Sequence, residues 1–231
     1  MARVKHTKAQ KAKIRRRRAR QFRGAVFLLL AFVGVISIAS VIVGQIRKLT
    51  NDDAQKAEFA RIIAPLVALD PAPFEGPEKA KAELLEEAAI RAVISNENTS
   101  KYTRTMQGQI LIPVLDVDRY YTKLFGSGSL PRHATFTDGD TTFEYDPDSK
   151  CYLVPFSDLS GTYYPRISKI DSSGSTRTLT VEYLSYADQG NVTGATGDSS
   201  GQRVIKTMEY ILLKESGEYH IYSVRYAGQS S

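Results

Sequence analysis

The chain has one cysteine and no tryptophan, and its first 23 residues contain no acid. Each shortage excludes something. Cys151 has no second cysteine to pair with, so no disulfide closes within the chain, the fold rests on packing, and only a bridge to another chain is open. A secreted eukaryotic domain of this size ordinarily carries several bridges, so their lack points to a bacterial envelope. His6, His133 and His220 are scattered and no Cys/His spacing fits zinc, which leaves a metal centre without support. No GxSxG or comparable nucleophile element is present. Gly126-Ser127-Gly128-Ser129 lacks the Gly-Lys-Ser/Thr that completes a phosphate loop, and it follows a helical pattern rather than a strand. These readings assign no catalytic, cofactor-binding or metal-binding residue.

Charge is also missing from Gly24 to Ile46, which reads GAVFLLLAFVGVISIASVIVGQI. As a helix, Ala25 to Gly44 would be about 30 Å long, the thickness of a bilayer's hydrocarbon core. The expectation is one transmembrane helix over 24–46. Eleven Lys/Arg precede it, while Arg47 and Lys48 are balanced by Asp52 and Asp53 behind it. The positive-inside rule then puts the tail, 1–23, in the cytoplasm and the rest outside the plasma membrane. A cleaved signal peptide is the rival, but its apolar region would be shorter, and Ser37-Ile38-Ala39 sits inside the run rather than after it.

The formal net charge of +6 is concentrated in that tail, and without it the chain has 20 Lys/Arg against 25 Asp/Glu. The outer part therefore has no charge with which to hold nucleic acid. Arg15, Arg16, Arg17 and Arg18 are the candidate membrane-surface residues, since juxtamembrane cations bind anionic lipid. Orientation alone also explains them.

Beyond the span, 47–76 reads as a stalk helix and a proline-rich linker. Phe59, Ile62, Ile63, Leu66 and Val67 recur at spacings of three and four, a stripe that needs cover. The outer domain's own surface is the simpler cover; a partner helix is the sharper one, which makes Phe59, Ile62, Ile63 and Leu66 a candidate interaction surface. Asp70 to Pro77, with three prolines, reads as a stiff break before an outer domain over 77–231. A helix is expected from Pro77 to Asn96 with Leu85, Ala88, Ala89, Ala92 and Val93 on its buried face. Gln109 to Val114 is extended. Asp116 looks like the N-cap of a helix over 117–125 that Gly126 stops. From Ala134 the pattern turns to strands, with three successive hairpins suggesting one antiparallel meander. Leu179, Val181 and Tyr183 alternate with Thr178, Thr180 and Glu182, so one sheet face is buried. The polar loop from Asp188 to Gln202 contains four glycines and reads as mobile.

This order is α+β, with helices packed on a curved antiparallel sheet. It resembles the cone of the NTF2-like superfamily and the outer domains of VirB8-like secretion subunits, which share a short tail and a single span. VDRYYTKLFG (117–126), Phe143-Glu144-Tyr145-Asp146 and Tyr152-Leu153-Val154-Pro155 also resemble single-span membrane proteins of Gram-positive bacteria. One span, a stalk, a single outer domain and no catalytic signature point to a non-enzymatic envelope protein that works through assembly, with a protein partner or a second copy of itself. The alternative is a small-ligand module using a sheet-lined pocket. Some NTF2-like enzymes place an acid and tyrosines in such a pocket; here Tyr120, Tyr183, Tyr210 and Tyr222 would line it, with Asp118 or His133 as base.

Overall fold

A computed structural model of the chain describes residues 52–155, 161–185 and 203–228. The expected span, the tail with Arg15 to Arg18 and most of the glycine-rich loop lie outside the described residues. Among the described residues no helix is long and apolar enough to cross a membrane.

Three helices pack on antiparallel sheets, an α+β arrangement. Helix α1 covers 52–67, α2 is Ala82–Asn96 and α3 is Val114–Phe125. Strands β1 (Phe74–Glu75), β6 (Tyr163–Ser173), β7 (Thr176–Ser185), β8 (Val204–Glu215) and β9 (Glu218–Tyr226) form one sheet in the order β1-β9-β8-β7-β6. Strands β2 (Gln109–Pro113), β3 (Phe136–Asp138), β4 (Thr141–Asp146) and β5 (Cys151–Pro155) form a second in the order β2-β5-β4-β3. The expected hairpins all exist, but the first belongs to a different sheet from the other two. The reason is β2, whose Gln109 to Pro113 pairs along β5 and draws that hairpin away.

The compact unit begins at Gln55, not at Pro77. Phe59, Ile63 and Leu66 are at most 1% exposed, and Ile62 is half-buried against the same core. Phe59, Ile63 and Leu66 are therefore closed to a partner, while Ile62 stays partly open. The stripe is covered by the chain's own domain because Phe59 meets Tyr219 of β9 edge-on, with ring centroids 5.1 Å apart. Nor is the proline-rich stretch a spacer. Asp70 ends α1 with a positive φ of 51° and pairs with Lys206, and Phe74 lies opposite Val224 as β1 joins the sheet. Gly161 approaches α1 so closely that a Cβ there would lie 2.5 Å from the Ala68 Cβ, while Thr162 N–H donates to Ala68 O at 3.1 Å.

The helix boundaries differ from the sequence reading at two places. Pro77–Lys79 is a separate 3-10 turn, with Ala80 and Lys81 extended before α2. Asp116 is not an N-cap: α3 starts two residues earlier behind Pro113, and Asp116 falls in its first turn, where the helix dipole favours a carboxylate. The sheet interior follows the expected alternation, with Leu179, Val181 and Tyr183 fully buried.

Replacing Phe59 by Ala should lower unfolding free energy by about 3–5 kcal/mol, the cost of deleting a packed aromatic ring. Denaturant titration monitored by circular dichroism reads this directly, and an unchanged midpoint would mean that α1 does not belong to the domain.

Candidate functional site

Two polar constellations and one groove stand out from the packing. The first is built on α2, where Glu86 and Glu87 are 2% and 3% exposed beside the expected apolar face. Glu87 has its answer one turn away, as Arg91 Nε donates to its Oε1 at 2.8 Å. Burial still raises the Glu87 pKa, against the pull of Arg91. Glu86 instead holds the loop after α3. Its Oε1 accepts the backbone N–H groups of Arg132 and His133, the latter at 2.9 Å, and its Oε2 accepts from Tyr152 Oη at 3.3 Å. Burial, then the Glu86 carboxylate, push the Tyr152 hydroxyl well above the ordinary tyrosine range. His133 lies between Tyr152 Oη, 3.4 Å from Nδ1, and Asp118 Oδ1, 3.0 Å from Nε2. The second contact is out of line with the ring N–H and makes no hydrogen bond.

Asp118 and His133 therefore do come together, but not with the tyrosines expected around them. Tyr183 and Tyr210 are fully buried inside the five-stranded sheet's core, their hydroxyls 2.5 Å apart. Burial raises both phenols' pKa values. Tyr222 is on the exposed side of β9, and Tyr120 is at the wall of a separate groove. Among the described residues Tyr183 and Tyr210 fill the space they were to line, and Tyr222 instead borders a cleft of about 410 Å³ on the β1–β9–β8 face. Glu86 accepts from the His133 backbone N–H while the ring's Nδ1 lies against Tyr152 Oη, so His133 helps to hold the loop in place.

The second constellation ties the end of α2 to the start of α3. Glu97 accepts from Lys101 at 2.7 Å, from Arg119 at 2.6 Å and from Tyr120 at 3.0 Å. The Lys101 bond first, then that from Tyr120, lowers the Glu97 pKa. Asp116 accepts from Arg119 at 2.8 Å and from Tyr102 Oη at 2.7 Å. Burial, then the bond to Asp116, push the Tyr102 pKa up to about 12.

Beside this network a groove of about 520 Å³ opens between the three helices and the β8–β9 hairpin. Ile62, Pro65, Ala92, Leu124 and the rings of Tyr120 and Tyr219 give it apolar walls. Pro65 lacks an N–H, so the Arg61 carbonyl lacks its i+4 helical donor. Five charged residues surround it: Arg61, Lys123 and Lys214, with Glu58 and Glu218. Lys123 Nζ is 5.3 Å from the Tyr120 ring centroid and Lys214 Nζ is 5.3 Å from that of Tyr219. The hairpin is fixed against α3 by His220, whose Nδ1 lies 3.0 Å from Lys123 O.

Sequence reading missed both Glu86 and the groove. A glutamate next to an apolar helical face gives no sign that two backbone N–H groups wait opposite it. The groove gathers residues from five elements, and periodicity sees one element at a time. Among the described residues no group of His, Cys, Asp and Glu is placed to hold a metal ion. Comparison with models of known protein families, with curated proteins and with solved structures finds no match.

Removing the Glu86 carboxylate (Glu86→Ala) should cost about 1–3 kcal/mol, because it leaves buried donors without an acceptor. Urea titration measures it, and Glu86→Gln should recover part of the loss. For Tyr102, the folded chain keeps a proton that the unfolded chain has released between about pH 10 and pH 12. Its contribution is complete below pH 10 and is lost as pH rises through 12, so Tyr102→Phe should flatten the alkaline limb of a stability-against-pH curve.

Proposed function

We propose that this chain is a single-span membrane protein whose outer domain, of NTF2-like and VirB8-like kind, serves protein assembly in a bacterial envelope. The observation that carries the reading is the filled interior. Tyr183 and Tyr210 occupy, at 0% exposure, the space in which a ligand-binding cone would keep its pocket. Open clefts remain outside, among them the groove between the helices and the hairpin. An amphipathic surface groove with a charged rim suits a protein segment better than catalysis, for which a poised base and a water-excluded cavity are needed. Arg15 to Arg18 would hold the inner leaflet's anionic lipid in this arrangement.

A partner strand added to the sheet edge is disfavoured. Strand β6 ends the five-stranded sheet, and it carries Pro165, a register shift between Ile167 and Lys169, and the exposed pair Lys169 and Asp171. Such features guard an edge against pairing. The runner-up function, small-ligand binding, draws support from the groove's volume, which falls in the range of ligand pockets. It would use the helix–hairpin groove rather than the sheet face.

Photo-crosslinking in intact membranes separates these readings, with the probe at Lys123 on the groove and, as a distant control, at Tyr226. A recurrent protein adduct from Lys123 is the expected result. Recovery of monomer alone, with the domain shown to be folded, would remove assembly and favour the small ligand.

A further inference from the structure

We propose that the groove receives the β3–β4 hairpin of a second copy of this chain. The proposal rests on the assembly reading above and names its partner.

The argument is one of unanswered charge. Most strongly placed charges of the domain are paired in place, as in Arg166 with Glu182, Arg225 with Glu209, and Glu97 with Lys101 and Arg119. Arg61, Lys123 and Lys214 differ. They stand on α1, α3 and β8, all face one groove, and none has a carboxylate within ion-pair distance among the described residues. Lys123 and Lys214 rest instead on tyrosine faces, which hold an ammonium in place without neutralising it.

The opposite surplus lies on the second sheet. Residues 136–148 contain five acids and no base. Asp138, Asp140 and Glu144 are exposed and make no described ion pair or side-chain hydrogen bond. Gly139, at φ 55°, makes the tight tip that brings Asp138 and Asp140 together at its flanks. None of these residues lines the groove of its own chain. Asp138 and Asp140 at the tip, with Glu144 farther along β4, offer three carboxylates to three cations around a cleft. Glu58 and Glu218, also at the rim, oppose the contact and set a limit on its strength.

A groove on one copy and a hairpin on the next make a heterologous contact. Such contacts close into rings or continue as filaments, according to the rotation between copies.

The test uses the purified full chain in analytical ultracentrifugation. Reversing the groove (Arg61→Glu, Lys123→Glu, Lys214→Glu) or the hairpin (Asp138→Lys, Asp140→Lys, Glu144→Lys) should each weaken self-association about a hundredfold, as like charges then face each other. Mixing the two reversed chains should restore association, which a folding defect in either would prevent. Glu58→Gln with Glu218→Gln should strengthen it. In a Cys151→Ser background, Lys214→Cys and Asp140→Cys on different copies should form an intermolecular disulfide. A chain that stays monomeric at every concentration, or associates equally well with both reversals, overturns the proposal. A different protein trapped at Lys123 with no self-adduct overturns it too, while leaving the assembly reading in place.

Discussion

An apolar stripe on a helix must be covered, and in this protein the domain covers its own. Phe59, Ile63, Leu66 and Val67 leave water by packing on the core that α2, α3 and β9 complete. Much follows from that seating. With α1 docked, Pro65 and Arg61 become a wall of the groove, Asp70 can reach Lys206, and the chain is delivered to β1 beside β9. A helix that stood clear as a stalk would leave Tyr219 and Leu124 exposed and the groove without one side.

The parts of the fold that one element decides alone were legible. The period-two alternation of β7 and the i, i+3, i+4 face of α2 were read correctly because burial imposes those spacings locally. The turns were legible too, since Gly174 and the Ser216-Gly217 pair adopt the positive φ that such hairpins demand. Partnership was not legible. Whether β4 and β5 join the long sheet or form another depends on β2, some forty residues earlier in the chain. Whether the prolines of 71–77 separate or stitch depends on β9, at the chain's other end.

The same division holds for the candidate site. Asp118 and His133 could be named as chemistry-bearing residues, and they do meet. The part His133 plays in holding the loop depends on Glu86 and Tyr152, one from a helix and one from a strand. Tyr183 and Tyr210 show the opposite outcome. They were the right residue type for a pocket lining, yet a phenol beside another phenol satisfies itself and fills the space. Among the described residues, buried polar groups such as Glu86, Tyr183 and Tyr210 fasten elements together.

The mode of attachment of α1 has a mechanical side. The helix is held to the rest by side-chain packing, by Lys56 to Ser168 O and by Ala68 O to Thr162 N–H, not by a ladder of backbone bonds. Strand β1 adds a pairing of two residues, whereas β7 and β8 are joined over nearly their full lengths. Tension applied from the N-terminal side would thus meet the weakest fastening first. It would lift α1, take down the groove's wall and reach the long sheet last, so that a load could dismantle the groove while the body of the domain stays folded.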